Sequence, residues 1–365
     1  MEEEWLNRIA LTKIPAMGPV RIRSLIDYFG SATAVFKSNR KEWLRVPNIT
    51  ELTCKELKKK QNHADALSEW KFVNDHQIKP LFLTDSEYPK RLLHCYDPPS
   101  LLYYKGVADL NHPRILSVIG TRNHTTYGKQ VTEQLIAYLS NRNITIISGL
   151  AFGIDALAHR HALQNGLPTV GVLAHGLDTL YPWQHTSLAK EMEKQGGLLT
   201  EFGKNTQPDK HNFPKRNRIV AGMSDATLVI ETACKGGSMI TAELAFEYNR
   251  ELMAVPGKIT DPANAGCLQL IKQNKAVMYT SPESLLELMG WNSAQPTSRQ
   301  TKLFDNLLPE EKNLLQLLQG VASLSIDELY IKSGLPYSQL ASLLLQMEMK
   351  QYILSLPGKR YALSG

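Results

Sequence analysis

Three stretches decide the fold: ILSVIGTR at residues 115–122, ITIISGLAFG at 144–153 and ATLVIETACKGGS at 226–238. In each stretch a short apolar run ends in small residues, which is the pattern of a buried strand that turns tightly into a helix. In an open parallel sheet, ligands bind beyond the carboxyl ends of the strands, where helix N-termini present unpaired N–H groups to anions. The three turns therefore predict a ligand with several phosphates, and a nucleic acid is the leading candidate.

Around these turns, the order strand, turn, helix repeats through residues 110–290. This alternation of short apolar runs with amphipathic helices predicts an α/β fold, an extended Rossmann-like parallel sheet with helices on both faces. The predicted strands are 115–119, 144–147, 169–173, 198–201, 226–231, 251–255 and 276–280.

The segments before the sheet are predicted to be helical and then extended. Residues 1–75 show helical periodicity, and IPAMGPVRIRSLIDYFG at 14–30 is typical of a helix-hairpin-helix or SAM-like domain. Two interpretations stay open for this hairpin: its Gly18 turn contacts a phosphate, or the domain only packs against its neighbour. Residues 76–109 are predicted to be a connector with one short strand, stiffened by Pro98 and Pro99.

The C-terminal part is predicted to be a polar linker at 291–304 and a winged-helix module at 305–365, because helices at 309–319, 325–332 and 336–349 precede two short strands. Residues 296–365 contain seven Lys and Arg against six Asp and Glu. A helix that reads a DNA groove is usually richer in basic and amide side chains, so we expect this module to contact a protein.

The composition bounds the class of protein. The chain has 365 residues, 43% hydrophobic and 21% charged, with a net charge of +6, which is typical of two or three soluble domains with a local basic patch. The four cysteines form no CxxC, which argues against a zinc ribbon or a disulfide framework. No apolar run approaches the roughly 18 residues of a membrane helix, so a cytoplasmic protein without a membrane partner is expected.

A basic stretch, GKNTQPDKHNFPKRNR at 203–218, lies between the second and third turns. Its Lys and Arg residues with Phe213 among them are typical of single-stranded nucleic-acid binding, in which bases stack on an exposed ring. The alternative is a solvated loop with Phe213 buried. Arg216 and Arg218 share neither a strand face nor i, i+4 spacing, so one of them is expected to bind ligand and the other to brace the fold. Asn217 can hydrogen-bond in either role.

The turns themselves supply the other candidate ligands. Arg122 is expected to reach a phosphate, the alternative being a salt bridge at the sheet edge. Ser148 is either a ligand contact or an ordinary N-cap, and Thr241, one turn into the helix after Gly236, is expected to offer its hydroxyl to the same anion. No Lys follows these glycines, which argues against nucleoside triphosphate hydrolysis. No metal or cofactor is expected, and a His175–Asp178 pair is read as structural.

The motifs YPKRLLHCYDPPSLLYYKG, VIGTR, SGLAFGIDALAH, FPKRNRIVAGMSDATLVIE and KGGSMITAELA closely resemble the DNA-processing protein A (Smf) family of bacterial natural transformation. The resemblance implies a cytoplasmic homodimer that binds and shields incoming single-stranded DNA and helps to load the RecA recombinase, without catalytic turnover. The residues expected to line the strand-binding pocket are Gly120, Thr121, Arg122, Ser148, Gly149, Lys210, Phe213, Arg216, Asn217, Arg218, Gly236, Gly237, Ser238 and Thr241.

The competing hypothesis is an enzyme. A Rossmann-type family of nucleoside monophosphate phosphoribohydrolases carries a related GG-x-GT-x-x-E turn with catalytic Arg and Glu. In KGGSMITAE, Thr241 lies one residue further from the glycines, and Glu243 shifts with it. This displacement disfavours hydrolysis. A third hypothesis is a pure scaffold for recombination proteins, which would not bind an oligonucleotide.

Overall fold

The computed structural model describes residues 2–15, 17–59, 61–291, 309–318, 323–350, 352–356 and 360–363. The chain divides into two compact units, residues 1–295 and 296–365. Apart from Trp291, the predicted linker at 291–304 lies outside the described residues. The finer boundaries expected within the first unit stay predictions.

The first unit begins with six helices, whose buried apolar side chains belong to the same core as one face of the sheet. They are α1 (Glu2–Lys13), α2 (Pro19–Phe29), α3 (Ala32–Lys37), α4 (Arg40–Trp43), α5 (Glu51–Leu57) and α6 (Gln61–Asp75). Local chemistry sets their ends, because α2 starts with Pro19 and stops at Gly30, whose φ is 81°. At α4, Asn39 and Glu42 form a reciprocal capping box. The expected helical N-terminal region is confirmed.

The rest of the first unit is one large sheet and its covering helices. In chain order the elements are β1 (Lys79–Phe82), α7 (Lys90–Leu93), β2 (Leu101–Gly106), β3 (Ile115–Ile119), α8 (Thr126–Leu139), β4 (Thr145–Gly149), α9 (Ile154–Gln164), β5 (Thr169–Val172), α10 (Thr186–Gln195), β6 (Gly197–Thr200), α11 (Asn212–Met223), β7 (Ala226–Val229), α12 (Gly237–Glu247), β8 (Glu251–Ala254), α13 (Ala265–Lys272), β9 (Val277–Met278) and α14 (Pro282–Leu288). Short 3₁₀ turns lie at Trp183–His185 and Pro262–Asn264.

The strand order explains where a ligand can bind. The nine strands run β1-β2-β6-β5-β4-β3-β7-β8-β9, and β3 to β9 are parallel. The chain builds outward from β3 to β6, then crosses back to place β7 on the other side of β3. In such sheets a crevice opens at the carboxyl ends of the strands where the order reverses, which is between β4, β3 and β7.

The segment expected to be a connector contributes two strands instead of one. β1 pairs antiparallel with β2, and β2 pairs antiparallel with β6, so this segment extends the parallel sheet at one edge. Leu101 to Tyr104 are all buried, so apolar side chains pack on both faces of β2 and stabilise it. Pro98 and Pro99, just before β2, had favoured a connector at this position.

The N-terminal helices are tied to the sheet region by one buried carboxylate. Glu69 of α6 accepts a hydrogen bond from Lys13 Nζ at 2.8 Å and another from the backbone N–H of Lys204 at 2.9 Å. Glu69 is 2% exposed, so both donors compensate a desolvated charge. This arrangement places α1, α6 and the residues after β6 together in the first unit.

The second unit has the order of a winged helix. Its elements are α15 (Pro309–Leu318), β10 (Leu324–Ser325), α16 (Ile326–Ser333), α17 (Tyr337–Met349), β11 (Ile353–Leu356) and β12 (Arg360–Leu363). The strands pair in the order β10-β12-β11, and Leu314, Leu329, Leu340 and Met347 are among its fully buried side chains. Residues 357–359, between β11 and β12, lie outside the described residues.

None of the helices in the described part of the chain combines the length and apolar character that a bilayer crossing requires.

Candidate nucleic-acid interface

A cavity of about 350 Å³ opens at the carboxyl ends of β3, β4 and β7. It is the crevice that the strand order creates, and the loops that follow these strands form its walls together with one face of α11. The predicted site residues that line it are Gly120, Thr121, Arg122, Gly149, Phe213, Arg216, Asn217, Gly236, Gly237, Ser238 and Thr241.

The first wall is the turn after β3, which is held on two sides. Thr121 N donates to the Glu231 carbonyl at 2.8 Å, and Ile154 N donates to the Thr121 carbonyl at 3.1 Å. A Cβ at Gly120 would come within 2.5 Å of Ile154 Cγ1, and one at Gly153 would overlap the Thr121 carbonyl oxygen. Gly153 also has a φ of 82°, which other residues rarely adopt. The turn is therefore set by backbone contacts before any ligand binds.

The second wall is α11, which converts part of the basic stretch into a helix. Phe213, Arg216 and Asn217 stand at i, i+3 and i+4, so they share the face towards the cavity. Asn217 Nδ2 donates to the Gly237 carbonyl at 3.1 Å and links this helix to the start of α12. The side chains of Arg216 and Asn217 are consequently fixed by the fold.

Arg216 and Asp155 place one positive and one negative charge in the lining of the cavity. Arg216 is buried and donates from Nη1 to the Val172 carbonyl at 2.5 Å. Burial lowers the pKa of Arg216, and the nearby Asp155 carboxylate opposes that shift. Burial also raises the pKa of Asp155, and the charge of Arg216 opposes it. A Cβ at Gly149 would overlap both side chains, so this glycine makes room for the two charged groups.

The exposed cations give the cavity its net charge. Three basic residues line it, Arg122, Arg216 and Lys235, against the single carboxylate of Asp155, which leaves two positive charges in excess. Arg122 is exposed, and its guanidinium lies 5.5 Å from the ring centre of half-buried Phe213. A planar cation stacked on a ring presents its edge N–H groups to an anion, and the ring offers a face to a base.

The third wall is the turn that opens α12. Gly236 is its N-cap and lacks any atom within 4 Å of an added Cβ, so the space beside the first N–H groups of this 11-residue helix is free for a ligand. Ser238 Oγ hydrogen-bonds Thr232 Oγ1 at 2.8 Å. Thr241 donates its hydroxyl proton to the Gly237 carbonyl at 3.1 Å, so the expected donation from Thr241 to an anion is not available in this geometry.

Three predicted residues lie outside the cavity wall. Ser148 is fully buried and donates to the Val118 carbonyl at 2.7 Å, so its position does not support a direct ligand contact. Lys210 is exposed in the turn before α11, from which it can reach only the rim. Arg218 projects from the opposite face of the helix, where it pairs with Glu201 and the Asp97 carbonyl. Arg218 is therefore the arginine that braces the fold.

Two charged residues that line the cavity are not among the predicted site residues. Lys235 directly precedes Gly236, whereas the nucleoside triphosphate motif places its lysine after the glycines. The second is Asp155, in the first turn of α9. His175 Nε2 accepts from Tyr181 N at 3.1 Å, and Asp178 accepts from Asn205 N at 3.0 Å, as expected for structural residues. Within the described ranges, no group of His, Cys, Asp and Glu side chains has the arrangement of a metal site.

Comparison with known proteins gives consistent matches. The sequence model of the family DNA recombination-mediator protein A matches residues 79–290, and that of the DprA winged helix domain matches residues 293–359. Protein Smf of Escherichia coli is 35% identical over 298 residues, which are 79% of this chain and 78% of that protein. The DNA processing protein DprA of Bacillus subtilis is 38% identical over 212 residues, 58% of this chain and 71% of that protein.

Two solved structures share the fold. The X-ray structure of DNA processing protein A from Streptococcus pneumoniae has a TM-score of 0.62 and 30% identity, over 76% of this chain and 95% of that one. DNA processing protein A from Helicobacter pylori, whose structure was described for its single-stranded DNA binding mode, has a TM-score of 0.53 and 30% identity, over 58% of this chain and 95% of that one. These matches confirm the resemblance drawn from the motifs and the predicted fold class.

Proposed function

Because the chain belongs to the DNA recombination-mediator protein A family, we propose that it binds single-stranded DNA in the cavity at the ends of β3, β4 and β7. The observation that carries this proposal is the convergence in one cavity of two exposed cations, a free helix N-terminus and a half-buried ring. The relative from Helicobacter pylori, described for its binding of single-stranded DNA, supports the same function.

The proposed binding mode divides the strand between two kinds of contact. A phosphate accepts hydrogen bonds from the first N–H groups of α12 and from Arg122, and Lys235 adds a second charge. A base of the same strand stacks on the Phe213 ring, which the Arg122 guanidinium also contacts. Gly120, Thr121 and Gly149 supply close backbone walls, and Lys210 contributes from the rim. A base can reach the ring only when it is not paired, which favours a single strand over a duplex.

The family resemblance extends the proposal to the cellular role. The bound strand would be shielded during transformation and transferred to the RecA recombinase, and two copies of the chain would associate through the Rossmann-like part. No chemical step is proposed. The cavity contains the carboxylate of Asp155, whose negative charge faces the positive charge of Arg216. Glu243, which a phosphoribohydrolase would need, pairs with Lys275 at 2.5 Å instead.

Fluorescence anisotropy with a labelled oligo(dT) and with a duplex of the same length tests the proposal. We expect the single strand to bind more tightly and its affinity to fall with salt, with a log–log slope of about 0.7 for each phosphate neutralised. Equal affinity for the duplex, or no binding of oligo(dT), would contradict it. Release of free base from nucleoside monophosphates by the same preparation would favour the enzyme.

A further inference from the structure

A second, smaller recess adjoins the cavity on the side of β5. Arg122, Phe213 and Arg216 line both spaces, so these side chains form a shared wall. Beyond that wall the recess is bounded by the loops that follow β4 and β5, including Phe152 and Tyr181. A strand whose phosphate lies in the cavity therefore has an aromatic surface directly beside it.

Two aromatic side chains that line this recess are exposed, and a third exposed ring lies two residues further along the chain. Phe152 is 42% exposed, Tyr181 is 47% exposed and Trp183, in the 3₁₀ turn after Pro182, is 74% exposed. The other four tryptophans are buried or half-buried. Exposed aromatic groups that cluster beside a basic cavity are typical of surfaces on which nucleic-acid bases stack.

Buried histidines contact two parts of this aromatic surface, the backbone of Tyr181 and the ring of Phe152. His175 is almost fully buried and its Nε2 accepts from Tyr181 N at 3.1 Å. Phe152 packs edge-on against His185, with ring centres 4.9 Å apart, and His185 Nδ1 hydrogen-bonds the Leu150 carbonyl at 3.1 Å. The Phe152 ring and the Tyr181 backbone are thus positioned before a ligand arrives, which lowers the ordering cost of binding.

Tyr181 is the neighbour of Phe213 in this aromatic wall, and the two rings are tilted by 58°. The Arg122 guanidinium lies over Phe213, and the Tyr181 ring centre lies 6.2 Å from that of Phe213. Pro182 also lines the recess, and the exposed Trp183 follows it in the chain. Each nucleotide of a single strand carries one phosphate and one base, so a phosphate held in the cavity brings neighbouring bases close to these rings.

We propose that Phe152, Tyr181 and Trp183 form a base-stacking extension of the strand-binding site, occupied by bases of nucleotides that flank the one held in the cavity. The inference rests on the proposed function, because the occupant is the same single strand. It assigns a second part of the affinity to bases, independent of their sequence, since every base has a face that can stack.

Affinity measurements on Tyr181→Ala and Trp183→Ala test this extension. Each variant should bind oligo(dT) roughly 5- to 150-fold more weakly, the range measured for one lost base stack. The log–log salt slope should stay that of the wild type, because stacking releases no counterions. An oligomer of abasic sites with the same number of phosphates should bind all proteins alike.

Tyr96→Ala is the matched control. Tyr96 is 63% exposed and packs on Tyr248, which follows the last turn of α12, whereas the first turn of α12 lines the cavity. The control should retain wild-type affinity. If either test variant fails to fold in a thermal melt, Tyr181→Phe and Trp183→Phe keep the ring and should retain affinity.

Intrinsic fluorescence supplies a direct readout. Trp183 emission should be quenched when oligo(dT) binds, and Trp183→Phe should abolish that quench while it keeps the affinity. Absence of oligo(dT) binding by the wild type would refute the proposed function itself. Oligo(dT) binding without a quench, with wild-type affinity in both alanine variants, would refute only the stacking extension and point to another occupant of these rings.

Discussion

Replacement of Arg122 by alanine removes an exposed cation from the wall of the cavity and leaves its scaffold in place. The charge of the lining residues falls from an excess of two to an excess of one, because Arg216 and Lys235 remain against Asp155. A hydrogen bond to a charged group contributes about 1.5–3 kcal/mol, so affinity for oligo(dT) should fall about 10- to 150-fold. The log–log salt slope should decrease by about 0.7, one phosphate fewer.

Arg142→Ala is the control for this variant. The Arg142 guanidinium lies 5.3 Å from the ring centre of Tyr138, which matches the 5.5 Å between Arg122 and Phe213. Arg142 precedes β4, at the opposite end of that strand from Gly149. Both variants therefore lose one charge and one cation–π contact, worth about 0.5–1 kcal/mol of stability, but only Arg122→Ala changes the cavity.

The assay is anisotropy of a labelled oligo(dT) at four or more salt concentrations, with a thermal melt of each variant. A reduced slope in Arg122→Ala and a wild-type slope in Arg142→Ala support the phosphate contact. Equal slopes in the two variants, at equal stability, would show that Arg122 does not neutralise a phosphate.

Three further predictions concern other parts of the fold. Gly236→Ala should leave the unfolding temperature nearly unchanged, because the added Cβ meets no atom within 4 Å. The methyl group would occupy space beside the helix N-terminus and keep the phosphate from one of the N–H groups, so oligo(dT) binding should weaken by about 1 kcal/mol; unchanged anisotropy would contradict this. Arg218→Ala should lower the free energy of unfolding in urea by about 3–5 kcal/mol, because it leaves the buried Glu201 carboxylate without its partner. Weakened DNA binding at wild-type stability would instead show that Arg218 contacts the DNA. Burial lowers the pKa of His159 to about 4, so the folded state favours its neutral form. The stability that follows from this is fully present well above pH 6.5, the pKa of an unfolded histidine. The free energy of unfolding should therefore fall by about 2 kcal/mol between pH 7 and pH 5. A His159→Gln variant should show a flatter pH profile, and an equally steep one would exclude His159 as the cause.

The fold could be predicted where the pattern is local and both faces of a strand are buried. The prediction for 115–119 coincides with β3, because an uninterrupted apolar run between turns permits a single interpretation. β9 shortens to Val277 and Met278, both half exposed at the sheet edge, since one neighbour supplies few ladder bonds. β2 was not predicted because Pro98 and Pro99 precede it and because one of its two partners, β6, lies some 90 residues away, a distance at which no local pattern indicates pairing.

The turns that form the candidate site could be predicted from the sequence, but the face of α11 that completes it could not. Gly120 follows β3 and Gly149 ends β4, whereas Gly236 lies seven residues after β7, at the start of α12. The parallel sheet brings these turns together at one edge. The basic stretch has no apolar period before Asn212, and Pro214 hides the start of α11, although a first helical turn accepts proline. Without knowledge of that helix, the sequence predicts only that Arg216 and Arg218 have different roles. Once α11 is known, its rotation sends Arg216 into the cavity and Arg218 to Glu201.

The doubly anchored turn after β3 has a consequence for amide hydrogen exchange. The N–H of Thr121 bonds the Glu231 carbonyl, which follows β7, and the N–H of Ile154, at the start of α9, bonds the Thr121 carbonyl. Exchange of each amide therefore requires the turn to separate from one of these segments. We expect both amides to exchange with the cooperative unit of the central strands and not with the surrounding loops. The turn that lines the cavity would then keep its shape while those loops open and close.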